Sequence, residues 1–468
     1  MQSSHAASTV SARFDDRNLV TDAGLLPVMR LAERGRLSAL VRESVGICGA
    51  GNSGGANPAA KVTSLVAAMC AGADSIQDAG RLRHGAMPQL FDQIRAPSTL
   101  GTFLRSFTHG HGLQLHAVHR RFLREVAAHT PLLPDAGQVA FIDVDSTHKR
   151  VFGPAKQGAQ VGRFKGIRTL HPLLATVCTP TTRPVIAAVR LRQGKAADSR
   201  GAERFVTEAL ATAGEADCTG TRVLRADSQF CNADVVAACR RTGAHFSITA
   251  GMNPSINRAV ASLDETAWQP IRYTTAVVDP DTGELISDAQ VAEIPAYTAY
   301  TAYTGRKKAE QVTARLIVRR VRDLAKPATV GEQDELLPAW RYHPLFTDSP
   351  FGTLQAERQH RHHAVIEQVI ADGKAGPLAH LPLGKFNANA AWLTLWAMSY
   401  NLLRTAGALA SVFHAKATTT TLRAHLVHVP ARLAHSARRL TLHLPRRWPW
   451  HDAWMQLFDT IHRPPDPA

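Results

Sequence analysis

The run Gln138-Val-Ala-Phe-Ile-Asp-Val-Asp145, followed at once by Ser146-Thr147, constrains this chain more than any other stretch. It reads as a buried strand that ends in a carboxylate. An isolated charge in an apolar setting is costly unless it is paired or holds a metal. Two further carboxylates raise the same demand: Asp227 closes the strand-like run Thr221-Arg-Val-Leu-Arg-Ala-Asp227, and Glu367 sits in a helix-like stretch from His360 to Lys374. Strand, strand and helix together can gather three acids around divalent metal, which points to phosphoryl transfer.

Charge agrees with that direction. Lys+Arg 54 against Asp+Glu 38 gives a net charge of +16 and a pI near 10.1, an excess that favours a polyanionic partner such as DNA, with a membrane surface as the rival. No run of eighteen apolar residues exists, and the N-terminus lacks the basic-then-apolar layout of a signal peptide, so a soluble cytoplasmic protein with no membrane partner is expected. The six cysteines are scattered without a Cys-x-x-Cys pair, which argues against a zinc ribbon or a disulfide framework.

Composition divides the 468 residues into an expected series of parts. Residues 1–135 read as a helical DNA-binding region, with helices over Leu25 to Val41 and Lys61 to Cys70, a loop at Gly49 to Gly55, and a basic, histidine-rich helical stretch from Ser98 to Ala128. Residues 136–250 alternate strand and helix and form the first part of an α/β core. Residues 251–344 turn to short β-type runs around signals such as Asp279-Pro-Asp-Thr-Gly283 and read as a β-rich insertion. Residues 345–415 resume the core with the Glu367 helix and a tryptophan-bearing stretch from Asn387 to Leu403. Residues 416–468 form a basic C-terminal tail with a disordered Pro-rich end.

These residues resemble the DDE transposases of bacterial insertion sequences, in the branch related to piggyBac that carries a β-strand insertion between the second Asp and the Glu. Phe141-Ile-Asp-Val-Asp-Ser-Thr147 with Gly153, Gln157-Gly-Ala159, Lys165-Gly166 and His171-Pro-Leu-Leu174 is similar to the family's first-Asp block. Val223-Leu-Arg-Ala-Asp-Ser228 with Phe230 is similar to its second-Asp block, and Asn387-Ala-Asn389 through Tyr400-Asn401 to the helix after its Glu. Ala23-Gly-Leu-Leu-Pro27, Asp74-Ser-Ile-Gln-Asp78 and Pro97-Ser-Thr-Leu100 agree as early landmarks. The family's Tyr, Arg, Glu and Lys positions on the Glu helix hold His360, His363, Glu367 and Lys374 here. Histidine lacks the permanent charge and bidentate fork of arginine, and Arg361 is a neighbour able to share a phosphate-clamp role.

The resemblance implies an RNase H-like core interrupted by a β-rich domain, and cut-and-paste transposition as a homodimer on terminal inverted repeats and target DNA. Asp145, Asp227 and Glu367 would hold Mg²⁺, with Mn²⁺ as a substitute, and Lys374 with His363 would neutralise the transition-state charge. A catalytically inactive repressor of the element, or a nuclease without strand transfer, remains as the alternative. Asp143 shares Asp145's parity and is the competing ligand. Asp227-Ser228 also suits a helix cap before Asn232, and Glu367 a solvent-facing helix position. His360, His362 and His363 diverge in direction and argue against zinc. Trp268 and Trp340 are candidates for base stacking or for core packing. Arg105, Arg120, Arg121 and Arg124, and Arg432, Arg438, Arg439, Arg446 and Arg447, are candidate phosphate contacts.

Overall fold

The computed structural model describes residues 4–6, 9–48, 53–162, 164–271, 289–299, 311–322, 329–330, 336–337, 340–437 and 439–462. The alternating pattern after residue 138 becomes one large mixed sheet. Strand Val139–Ser146 lies between the antiparallel Arg168–Cys178 and the parallel Thr221–Ala226; Val185–Gln193 pairs outside the former and His245–Thr249 lies parallel outside the latter. The two parallel steps are bridged by helices Ala202–Glu215 and Ala233–Arg241, as crossovers require. Cover on both faces explains why strand 168–178 is a nearly unbroken buried run.

The sheet does not stop at residue 249. Trp340–Thr347 pairs antiparallel with 245–249, followed by Val312–Arg322, Ala289–Ala299 and Gln269–Ile271. The β-type runs of 251–344 therefore extend the core sheet, and a helix, Pro254–Ala261, precedes them. Pairing between 289–299 and 312–322 is irregular from Ile294 to Tyr297, where Pro295 has no N–H to give the ladder. The turn expected at Asp279 to Gly283, most of the strand expected from Ile271, and the end of the one reaching Tyr303 lie outside the described residues, as does most of the loop expected at Gly49 to Gly55.

Helix Phe386–Ala410 is buried nearly all round, as befits a helix that is a core in its own right. It packs on strand 185–193 and on helices Leu25–Arg34, Pro58–Cys70, Pro97–Arg105, His109–Ala128 and His451–His462. Asn401 ties it to the sheet: Ile186 N–H donates to its side-chain oxygen at 2.7 Å, and its amide donates to Ile186 O at 2.8 Å.

Two expected helices are broken. Leu25 to Val41 divides into 25–34 and Leu37–Ser44 at Gly35, where a Cβ would stand 2.7 Å from the Phe122 ring and 2.8 Å from Val126. Close approach of helix 109–128 fixes the corner. Ser98 to Ala128 divides because Thr108 starts a new helix with a capping box to His111. The C-terminal stretch carries its own structure: Ala431–Ser436 and Arg439–His443 form a hairpin on Leu19–Val20, and Trp454, Leu457 and Ile461 bury one stripe of helix 451–462. Arg438 and the Pro-rich end lie outside the described residues. Among the described residues, no helix is long and apolar enough to cross a membrane.

Candidate active site

Register brings the first two acids together. Asp143 lies beside Arg225 and Val144 beside Ala226 in the parallel pair, so Asp145 and Asp227 follow at adjacent strand ends. Helix Val365–Lys374 packs on strand 139–146 and brings Glu367. Burial, together with the negative charges of Asp227 and Glu367, pushes the Asp145 carboxyl up to about 6, against the opposing pull of the Ser146 N–H and His363. Ser146 N–H donates to Asp145 Oδ1 at 2.6 Å. Burial also raises Asp227, whose Oδ1 accepts from Gln229 N–H at 3.0 Å. Asp227 thus caps the short turn Ser228–Phe230, while Asn232 caps helix 233–241. Glu367 is exposed.

Asp143, the competing candidate, has both of its oxygens engaged by neighbours. It is fully buried, accepts Arg225 Nε on Oδ1 and Arg225 Nη2 on Oδ2, both at 2.7 Å, and lies 2.9 Å from His363 Nδ1. Despite burial, which alone would raise it, Arg225 and His363 hold its carboxyl below the usual range. Arg225 also donates to Gln359 O at 2.6 Å and stacks 4.3 Å from the Phe141 ring centre. Arg225 precedes Asp227 by two residues, as Asp143 precedes Asp145, so the parallel register that aligns the two acids aligns this ion pair as well.

The Glu helix is interrupted. Thr353–Arg361 ends, His362–Ala364 forms a 3₁₀ turn, and 365–374 begins, so the four expected positions do not share one regular helical face. His363, held at Asp143 Oδ1, stays close enough to the acids to act on both Asp145 and Asp227. His360 turns away. It bonds Ser247 Oγ at 3.1 Å and Thr249 Oγ1 at 2.9 Å, and burial pushes it down to about 3. Arg361 pairs with Glu357 at 2.7 Å. Lys374 Nζ donates to Thr147 Oγ1 at 2.6 Å, and burial holds its ammonium below its ordinary value although Asp145 pulls the other way.

A second polar group, not anticipated from the sequence, backs Asp145. Ser146 Oγ donates to Asp198, His171 Nε2 lies 3.0 Å from Ser146 Oγ, and Arg192 donates to the Ala197 and Asp198 carbonyls. Asp198 sits near enough to Asp227 to raise it. Its only sequence signal is an acid in a loop, which spacing does not distinguish from a solvated one.

Other candidates are engaged elsewhere. Trp268 and Trp340 each offer a ring to one guanidinium, that of Arg320, at 4.2 and 4.4 Å, and Arg320 pairs with Glu265. Arg120, Arg121 and Arg124 pair with Glu215, Glu43 and Glu125, and Arg432 with Asp16. Arg105, Arg439, Arg446 and Arg447 are exposed.

Asp145 feels the charges of Asp227 and Glu367, and among the described residues protein bonds reach only one oxygen each of Asp145 and Asp227, so the three carboxylates offer hard-oxygen donors. No group of three or more His, Cys, Asp or Glu is drawn close enough to clasp an ion among the described residues. The class is that of metal-dependent DNA-processing enzymes. The family described as transposase DDE domain group 1 matches residues 2–466, nearly the whole chain, and the chain belongs to that family. No curated protein matches the chain.

Proposed function

We propose that this transposase cuts and rejoins DNA at the ends of its own insertion sequence with Asp145, Asp227 and Glu367 as the metal-holding acids. The observation that carries the reading is the parallel register of strands 139–146 and 221–226, which sets two acids side by side with Glu367 charging the same carboxyl. The strand order 185–193, 168–178, 139–146, 221–226, 245–249, with only 168–178 reversed against the other four, supports an RNase H-like core. The strands beyond 249 support the branch with a β insertion between the second Asp and the Glu.

Mg²⁺, with Mn²⁺ as substitute, would be held by the three acids, and when bound it activates the attacking oxygen and stabilises the leaving one. The chain's own residues supply the frame. Ser146 N–H orients Asp145, Gln229 N–H orients Asp227, and Asp143 holds the His363 ring beside both. Lys374 and His363 offer positive charge to the phosphate as it gains negative charge in the transition state. The protein acts as a homodimer on terminal inverted repeats, in the bacterial cytoplasm at the nucleoid.

The test uses duplex DNA carrying the ends of the element. Asp145→Asn, Asp227→Asn and Glu367→Gln are each expected to lower cleavage in Mg²⁺ at least a hundredfold while leaving end binding within about threefold, roughly 0.7 kcal/mol. Strand joining by the wild type separates a transposase from a nuclease. Binding without cleavage by the wild type would leave the repressor reading standing instead.

A further inference from the structure

We propose that the segment 148–168, immediately after the first acid, is a stacking surface for an unpaired nucleobase of the DNA being processed. This rests on the transposase reading and adds the state of the DNA beside the cut and the residues that hold it.

Between strands 139–146 and 168–178 lie two short strands, Lys149–Arg150 and Gln160–Val161, that pair with the start of 168–178 at the edge of the sheet. Residues 148–168 include six Lys or Arg and no Asp or Glu, so the segment suits a polyanion. Two phenylalanines lie on it outside the core: Phe152 is 72% exposed and Phe164 38%. Singly exposed apolar residues are ordinary. Here each ring stands beside a cation, with the Arg150 guanidinium 4.9 Å from the centre of Phe152 and the Lys165 ammonium 5.7 Å from that of Phe164. Rings for base faces with cations for phosphates are the two components that hold single-stranded nucleic acid.

The arrangement also reaches the acids. Phe164 stacks on His148 at 4.7 Å and 11°, and His148 stacks on His171 at 3.9 Å and 14°. His171 is buried, with Nε2 3.0 Å from Ser146 Oγ, the neighbour of Asp145. His148 is fixed in turn by Thr169 Oγ1 at 3.0 Å. A three-ring stack thus runs from an exposed ring to the residue after the first acid. On the other side, Lys374 bonds Thr147, and its charge reaches Lys149, so the cationic strip begins at the site itself. A strand with its scissile phosphate at the acids would lay its next nucleotides over this segment. Paired bases hide their faces inside the duplex stack, and only a base taken out of it can meet an exposed ring.

The experiment uses the full-length protein and a hairpin DNA with a short single-stranded overhang carrying 2-aminopurine, against the same hairpin with a blunt end. The wild type is expected to quench the overhang probe and to prefer the overhang to the blunt end. Phe152→Ala and Phe164→Ala should each lower that preference roughly tenfold and restore the fluorescence. Phe152→Trp should keep both, and Phe14→Ala, an exposed ring elsewhere, should behave as the wild type. An unchanged preference in the Phe152→Ala/Phe164→Ala double variant of a protein that still cuts DNA would overturn this inference alone. A wild type that neither binds nor cuts either hairpin in Mg²⁺ would overturn the transposase reading with it.

Discussion

At the residue scale, the buried trio of Asp143, Arg225 and His363 decides what Asp145 is free to do. Asp143 has the better-buried carboxyl, yet both its oxygens are filled, which is why the proposed metal-facing role is given to the acid two residues on. Removing one member of such a pair leaves an uncompensated buried charge, and Arg225→Ala is expected to cost about 3–5 kcal/mol in urea denaturation. Replacing both, as Asp143→Leu with Arg225→Met, should recover most of that loss, since a packed apolar pair is often as stable as a buried ionic one. Cleavage should stay low in the recovered protein because His363 has lost its anchor. A double variant that is both stable and fully active would show that His363 needs no anchor. The strand parity of Asp143 and Asp145 was legible in the sequence. The choice between them was not, because it depends on a residue 82 positions away that only the parallel register brings alongside.

At the element scale, the helix bearing Glu367 is positioned by a glycine. A Cβ on Gly373 would lie 2.5 Å from the Trp396 ring of helix 386–410. Alanine gains about 1 kcal/mol of helix propensity over glycine, whereas overpacking a close contact costs about 1–3 kcal/mol, so the clash wins. Gly373→Ala should lower stability, and cleavage with it, because the helix must shift and carry Glu367 and Lys374 along. Denaturation midpoints and cleavage rates on the same samples check this. Strands and helices of the core were legible from periodicity, and the alternation expected over 136–250 is met by the strands 139–146, 168–178, 185–193, 221–226 and 245–249 with helices 202–215 and 233–241. Less legible were the interruptions. Gly35, Thr108 and the 3₁₀ turn at 362–364 break helices where a neighbour's side chain intrudes or a hydroxyl starts a new cap, and periodicity, which sees only one element, carries no information on either. His360 shows the consequence: it lies seven residues before Glu367, about two helical turns if the helix ran unbroken, yet it bonds Ser247 and Thr249.

For the whole molecule, two buried neutral histidines make stability depend on acid. Burial pushes His119 and His360 down to about 3, whereas in the unfolded chain a histidine titrates near 6.5. Between those values the unfolded chain binds protons that the folded one refuses, so stability is complete above about pH 6.5 and is lost as the pH falls toward 3. His119→Gln should shrink the difference in urea midpoint between pH 7.5 and pH 5. An unchanged difference would place the acid sensitivity elsewhere. The net charge of +16 acts at the same scale, and DNA affinity should fall with salt at about −0.9 log units per log unit for each phosphate neutralised. Arg446→Ala with Arg447→Ala, both exposed, should shallow that slope without altering preference for particular ends. Charge was legible in the sequence as a total. Its distribution was not, since Arg120, Arg121 and Arg124 look identical to free cations until Glu215, Glu43 and Glu125 are seen beside them.

The small sheet joining Leu19–Val20 to 431–436 and 439–443 ties early residues to late ones, and so closely that a Cβ at Gly24 would fall 1.6 Å from the Leu426 carbonyl oxygen. For a chain emerging from the ribosome, this sets an order of events. Helix 25–34 is made among the first, yet helix 451–462, which packs on it, is made among the last. Through most of synthesis the apolar stripe of the early helix lacks one of its covers, and domains that wait for distant contacts fold slowly and expose sticky surface meanwhile. Messages cut short before residue 431 would therefore yield an unfinished body rather than a catalytic core missing an ornament.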